Sequence, residues 1–309
     1  MKMEYTSATT LALGIVAAVL YFAWGELREK ADSASQSVSR SDPERSRSIG
    51  TERPLPIPQG SISEARKKID PRVFQQLGPN TYQIVRLEDA RPPGDALEYI
   101  QGLIPKSASG DPLATFSIYL AVSDCRNYLS GITDRHPAAG LDGTGDLTAL
   151  EKTERKISEC AALTTAQTIT EEKWLEIAAQ QGSMEAKLYY SIDSNSVIGD
   201  SAARIRNPEK VIEWKKQSVA YLQEAAGTGN VDAISRLSSA YENGIIVGEN
   251  IELAYAYALA ANMVKPDSSG PTLINNLERN LSARQRESGA VLSRTIHKSC
   301  CTILSGNSR

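Results

Sequence analysis

The stretch "YLQEAAGTGNVDAISRLSSAYENGIIVGENIELAYAYALAA", Tyr221 to Ala261, decides the fold. Alanine pairs recur in it, Ala225-Ala226 and Ala260-Ala261, and the runs between them are broken by Gly-Asn and Asn-Gly. Its first part matches "WLEIAAQQGSMEAKLYY" from Trp174 at an offset of 47 residues, placing Ala178-Ala179 over Ala225-Ala226 and Gly182 over Gly229. Glu185 then falls on Asp232 and Ala186 on Ala233, which is an internal repeat. "GDPLATFSIYL" from Gly110 echoes the same pattern more weakly.

Paired helices explain this spacing. Glycine after the alanine pair adopts the left-handed conformation that ends a helix, and the next helix starts at once. Alanines on either side of the turn let two helices approach closely, while Leu175, Leu222 and Leu237 fill the layer between units. One pair cannot bury both faces, so pairs stack. The expected fold is all-α, a short solenoid of α/α helical hairpins.

Trp174 to Tyr190 and Tyr221 to Ala261 resemble the Sel-one-like repeat, a relative of the tetratricopeptide repeat. "AISRLSSAYENG" looks like that family's helix leading into its Asn-Gly turn. The resemblance implies a protein-binding scaffold or adaptor rather than an enzyme. The chain departs from the family's loop, which reads Asn-Gly-x-Gly-Val-Pro-x-Asp: Ile246, Gly248 and Asn250 stand where glycine, proline and aspartate are usual. An irregular insertion also separates Tyr190 from Pro208.

Composition agrees with helices packed through small residues. Of 309 residues 41% are hydrophobic, enough for a core, but only 6% are aromatic. A formal net charge of -3 gives no positive field to hold phosphates, so nucleic acid is not an expected partner. Asp70-Pro71, Asp111-Pro112 and Asn207-Pro208 each place a capping residue before a proline, predicting three helix starts. "TYQIVRL" at 81–87 reads as a short strand or an irregular segment, with no obvious partner strand.

The remaining chain divides as follows. Residues 1–7 form a short tail, and 8–25 lie in an uncharged run from Tyr5 to Gly25 ending in Tyr21, Phe22 and Trp24, which reads as a transmembrane helix or signal anchor. The competing readings are a cleaved export signal, with Ala23-Trp24-Gly25 as its small-x-small site, and a buried soluble helix. Residues 26–60, rich in Ser, Arg and Pro, read as a disordered linker. Helical segments are expected over 61–165, the repeats over 166–265 and capping helices over 266–309. Basic residues after the span favour a cytoplasmic C-terminus, whereas cysteine usage and the family resemblance favour export; the reading adopted is a single-pass protein of the inner membrane with a periplasmic soluble part.

Few residues suggest chemistry. Cys125 and Cys160 fall late in two successive predicted helices and are disulfide candidates in an oxidising compartment. Cys300 and Cys301 pair with each other only under strain, and with His297 they lack the Cys-x-x-Cys spacing of a zinc site. Asp142, Asp146 and Glu151 do not follow the calcium-loop pattern, so Asp146 reads as a helix cap, and His136 reads as a loop residue. No catalytic, cofactor or metal residue is assigned, and no small-molecule substrate is evident. Tyr189, Tyr190, Tyr241, Tyr255 and Tyr257 are candidates for a partner-binding surface or, equally, for packing between repeats. Two rival readings stand beside the scaffold: a factor or enzyme of envelope metabolism with a pocket in 61–165, and a protein that only associates with itself.

Overall fold

The structure, a computed structural model, describes residues 57, 58, 60–86, 91–134, 147–266 and 270–301. The apolar run 8–25, the linker up to residue 56, His136, Asp142 and Asp146 lie outside the described residues. Among the described residues no helix is long and apolar enough to cross a membrane.

Fourteen helices and one β-hairpin are described. A short α1 (Ile62–Arg66) leads to β1 (Phe74–Gly78) and β2 (Thr81–Ile84). Then follow α2 (Ala96–Ala108), α3 (Pro112–Asp134), α4 (Leu147–Ala161), a 3₁₀ turn (Ala162–Thr165) and α5 (Gln167–Thr170). The repeats supply α6 (Trp174–Gln181), α7 (Met184–Tyr190), α8 (Ser194–Ile198), α9 (Ser201–Arg206), α10 (Pro208–Gly227), α11 (Val231–Asn243) and α12 (Ile251–Val264). α13 (Gly270–Glu278) and α14 (Ala283–Cys301) close the chain. Helices α2, α3, α6, α7, α10, α11, α12 and α14 pack in series, each against the next, so the fold is a short array of helical hairpins.

Three hairpin turns use one design. Gly110, Gly182 and Gly229 have φ of 91°, 101° and 88°, a region open to glycine at little cost. The residue after each glycine, Asp111, Ser183 or Asn230, donates its N–H back five residues, to Lys106 O at 3.1 Å, Ala178 O at 2.9 Å and Ala225 O at 3.3 Å. These bonds satisfy carbonyls that a helix end leaves orphaned. The same residue then caps the following helix, its side chain accepting from the N–H of Ala114 (3.2 Å), Ala186 (3.1 Å) or Ala233 (2.8 Å). Those three alanines are buried, so the echo at Gly110 is a third copy of the turn.

The departures from the usual loop have local explanations. Asn250 does the work of the missing aspartate, its Oδ1 accepting from Leu253 N at 3.0 Å. Ile246, where glycine is usual, is buried and adds to the core. The insertion after Tyr190 is not irregular: it forms α8 and α9, capped by Asp193 and Asp200.

The first hundred residues correct two expectations. Segment 81–84 is a strand, and its partner is "FQQLG" immediately before it, so the helical fold carries one antiparallel hairpin with Phe74 opposite Ile84. Asp70-Pro71 starts no helix, unlike the proline pairs at 112 and 208. The Asp70 carbonyl accepts from Val73 and Phe74, and its carboxylate is gripped by Arg72 at 2.6 Å, which closes a turn into β1.

Segment 57–86 lies along the turn edge of the array. Gly60 N donates to Gly227 O at 2.9 Å and Tyr82 N to Gly229 O at 3.1 Å. A Cβ on Gly227 would fall 1.7 Å from Pro58 O, and one on Gly229 would fall 1.8 Å from Asn80 O. Tyr82 is fully buried; its hydroxyl meets Thr228 Oγ1 at 2.8 Å, and burial pushes its pKa up to about 12. Two carboxylates at equivalent repeat positions complete the contact: Glu185 accepts from Asp70 N at 2.8 Å and Asp232 from Ile84 N at 2.7 Å. Burial raises the pKa of both carboxyls, with the N–H bonds opposing the rise.

Alanine at residue 227 favours an isolated helix by about 1 kcal/mol, yet Gly227→Ala is expected to lose about 1–3 kcal/mol because Pro58 must move. Gly248→Ala, with open space around it, should stay within about 0.5 kcal/mol in thermal unfolding. Because the folded pKa of Glu185 is raised, its stabilising share is present below the unfolded pKa and lost as pH rises through the folded value. Glu185→Gln should therefore match or exceed the parent's melting temperature at about pH 8 and lose that advantage on acidification. Glu185→Ala, which strands the Asp70 N–H, should cost about 1–3 kcal/mol at either pH.

Candidate functional site

The five tyrosines are mostly core. Tyr190, Tyr241, Tyr255 and Tyr257 are buried and only Tyr189 is half-exposed. Tyr241 and Tyr257 stack at 5.7 Å, and Tyr255 donates to Glu278 Oε1 at 2.6 Å, tying α12 to α13. Burial, with Glu278 as acceptor, holds the Tyr255 pKa at about 12. Tyr189 packs edge-on against Phe116 and Tyr119, at 5.6 and 6.1 Å. These side chains hold the hairpins together, and Tyr190 also lines a groove between them.

One open groove does lie between hairpins. It has a volume of about 230 Å³ and is formed by α6 and α10, with Tyr190 of α7 and Val197 and Ile198 of α8 at its floor. Lys210, Glu213, Trp214, Gln217 and Tyr221 line it from α10, a spacing of three and four residues that puts them on one helix face. Glu176 and Gln180 face them from α6, with Lys173 at the end.

Its floor is held rigidly. Trp214 Nε1 donates to Tyr190 O at 2.8 Å, joining the hairpin of α6 and α7 to α10. The Tyr190 and Tyr221 rings meet edge to face at 5.1 Å, and Lys187 lies 5.5 Å over the Tyr221 ring while bonding Glu224 at 2.6 Å. Burial raises the Tyr190 pKa, and the negative charges of Glu176 and Glu213 raise it further, which places the phenol in the field of both acids. It remains a neutral donor. At one end Lys173 pairs with Glu176 at 3.3 Å, a half-exposed pair that competes weakly with an incoming cation. Aromatic faces beside two carboxylates suit a cationic side chain.

The sequence singled out Tyr190 but not Glu176, Glu213 or Trp214. Helical spacing after Pro208 groups the α10 residues on one face; it does not tell that face from the buried one.

The cysteines are all bonded. Cys125 of α3 and Cys160 of α4 are joined, with Cα atoms 5.5 Å apart, and both are buried. Beside them Arg91 Nη2 meets Glu159 Oε2 at 2.9 Å, with Arg91 also donating to Gly94 O at 2.7 Å, so α4 is fastened twice. Cys300 and Cys301 are joined to each other at the end of α14, which consumes the two thiols beside His297 that a metal would need. Among the described residues no cluster of three potential metal ligands occurs.

No family model matches the chain, and no curated protein matches it. Among solved structures, it is similar to c5321, a protective antigen present in uropathogenic Escherichia coli strains and described as displaying an SLR fold. The identity is 17% and the TM-score 0.26, and the match covers 67% of this chain. It spans 57% of the antigen's length. So distant a likeness adds nothing to the repeat that the three turns already display.

The disulfide closes a loop of 35 residues, for which chain entropy gives roughly 4 kcal/mol. Replacing both Cys125 and Cys160 by alanine should lower stability by up to that amount and open α4 to limited proteolysis. The digest and a denaturant titration read the two effects.

Proposed function

We propose that this protein is a binding scaffold whose groove between α6 and α10 receives a peptide or helix from a partner protein. The observation carrying this reading is the arrangement of Glu176 and Glu213 around Tyr190, open to solvent and backed by Trp214 and Tyr221. A lysine or arginine from the partner would sit against the two carboxylates and the aromatic faces, while Gln180 and Gln217 offer hydrogen bonds to its backbone. A rigid floor favours affinity, because little side-chain freedom is lost on binding.

In the same proposal residues 8–25 hold the scaffold at a membrane. The apolar run is about the length that crosses a bilayer, and it is followed by a segment poor in large apolar residues, which suits a tether. A periplasmic placement of the soluble part is favoured by four cysteines all drawn into disulfides, since such bonds persist in oxidising compartments.

A photoreactive amino acid in place of Gln217 should cross-link a defined protein in cells. Glu176→Lys with Glu213→Lys should reduce that cross-link about tenfold or more, with the melting temperature little changed. A cross-link insensitive to the charge reversal would refute the groove as the binding site.

A further inference from the structure

Strand β2 is occupied on both edges, whereas β1 is occupied on one. The bond from Val85 N to Val73 O at 2.9 Å fixes the phase of the hairpin: Val73 and Gln75 face β2, and the main-chain groups of Phe74 and Gln76 point away from it. The same alternation turns Tyr82 and Ile84 outward on β2, where Gly229 O and the Asp232 carboxylate accept their N–H groups. On β1 the Phe74 N–H folds back to Asp70 O at 3.2 Å. The Gln76 N–H and the carbonyls of Phe74 and Gln76 have no hydrogen-bond partner among the described residues.

Exposed strand edges are ordinarily blocked by charge, by proline or by a covering segment. "FQQLG" carries neither charge nor proline, and both glutamines are exposed. Beside the edge, between α1 and β1, lies a cavity of about 330 Å³. Ile62 and Phe74 give it an apolar wall, Arg66 and Lys67 line it from α1, and no carboxylate lines it. Arg66 stands 5.2 Å over the Phe74 ring and is exposed, with no ion-pair partner among the described residues; Lys67 is shared with Glu64 at 2.7 Å. Open main-chain groups, an apolar wall and an uncommitted guanidinium thus sit together.

We propose that this edge is a second docking site, separate from the groove between α6 and α10, and that it takes an extended acidic segment of a partner protein as a third strand. The added strand bonds the Gln76 N–H and the Phe74 and Gln76 carbonyls, lays an apolar side chain against Ile62 and Phe74, and directs a carboxylate to Arg66. The register shift between Gln76 and Gly78 ends regular pairing after Gln76, so the added strand is short and the side-chain contacts decide its chemistry.

The test uses the full-length chain in a mild non-ionic detergent with a fluorescent, N-acetylated probe peptide, Ser-Glu-Val-Glu-Val-Glu-Val-Glu-Ser. Anisotropy should show a dissociation constant on the order of 100 µM, as suits a short interface. N-methylation of alternate backbone amides, or lysine for every glutamate, should weaken binding about tenfold or more. Arg66→Glu, at an exposed site that leaves folding intact, should reverse the preference towards the lysine peptide. Hydrogen exchange in the segment spanning residues 73–78 should slow several-fold when the glutamate probe is present. The proposal is overturned by no binding at millimolar probe, by indifference to N-methylation, or by loss of binding in Lys173→Glu with Lys210→Glu, the two cations of the other groove, which moves the peptide there. Protection of 73–78 that rises with protein concentration alone would also overturn it, since the edge would then be covered by a second copy.

Discussion

Where a Cβ would stand on Gly227 and Gly229, the carbonyl oxygens of Pro58 and Asn80 already lie within 1.8 Å of that point. The contact is backbone against backbone, and it exists because both turn residues lack side chains. It lets Gly60 and Tyr82 donate to the turn carbonyls and buries Tyr82 completely beneath β1. A solenoid turn usually faces water; here the turn edge is an internal surface. The polar groups along it must then be satisfied by protein.

That requirement explains the acids. Glu185 and Asp232 occupy the second position after the cap in two consecutive hairpins, where a negative charge also favours the helix N-terminus. Each takes an N–H from a different stretch of the overlying segment, Asp70 or Ile84. In the first hairpin the equivalent residue is Leu113, and no such bond is made there. The segment therefore follows the second and third turns because those two turns carry acceptors. The energetic trade is plain: burial disfavours both carboxylates, and the hydrogen bonds offset part of that cost.

What could be read in the sequence was what local chemistry determines. Glycine, cap and alanine at fixed spacing announce a hairpin turn in any context, so the turns at 182 and 229 and the echo at 110 were legible. The β-hairpin was legible only in half: "TYQIVRL" read as a short strand or an irregular segment, and its partner did not read as a strand at all. "FQQLG" has no alternation of apolar and polar residues, and β2 gains its second partner from residues about 148 positions away. Asp70-Pro71 looked like a helix start because the pair is locally identical to the one at 111; the competing grip of Arg72 decides otherwise. The tyrosines pose the same difficulty, since a helix carrying Tyr255 and Tyr257 is apolar nearly all round and gives no sign of which face is covered. The groove joins Glu176 to Glu213 across two hairpins, a juxtaposition set by stacking rather than by sequence distance.

A short array faces a problem that long ones dilute. Each hairpin buries its faces against neighbours, so the two terminal units have one face unmatched, and with few repeats that loss weighs heavily against a marginal total stability. This chain covers both ends with helices outside the repeat pattern. At one end α4 lies on α3, locked by the Cys125–Cys160 bond, and the buried Arg91–Glu159 pair ties α4 to the segment before α2. At the other, α14 lies on α12 so closely that Gly289 stands against the Tyr255 ring, where a Cβ would come within 2.8 Å. With segment 57–86 closing the turn edge, three sides of the array are committed to stability. The groove where α6 and α10 face each other is left open, and its polar lining is charged and amide, Lys173, Glu176, Gln180, Lys210, Glu213 and Gln217, instead of small and apolar. A face built for packing would carry alanine and leucine at those positions. That it does not is the physical reason to look for binding there.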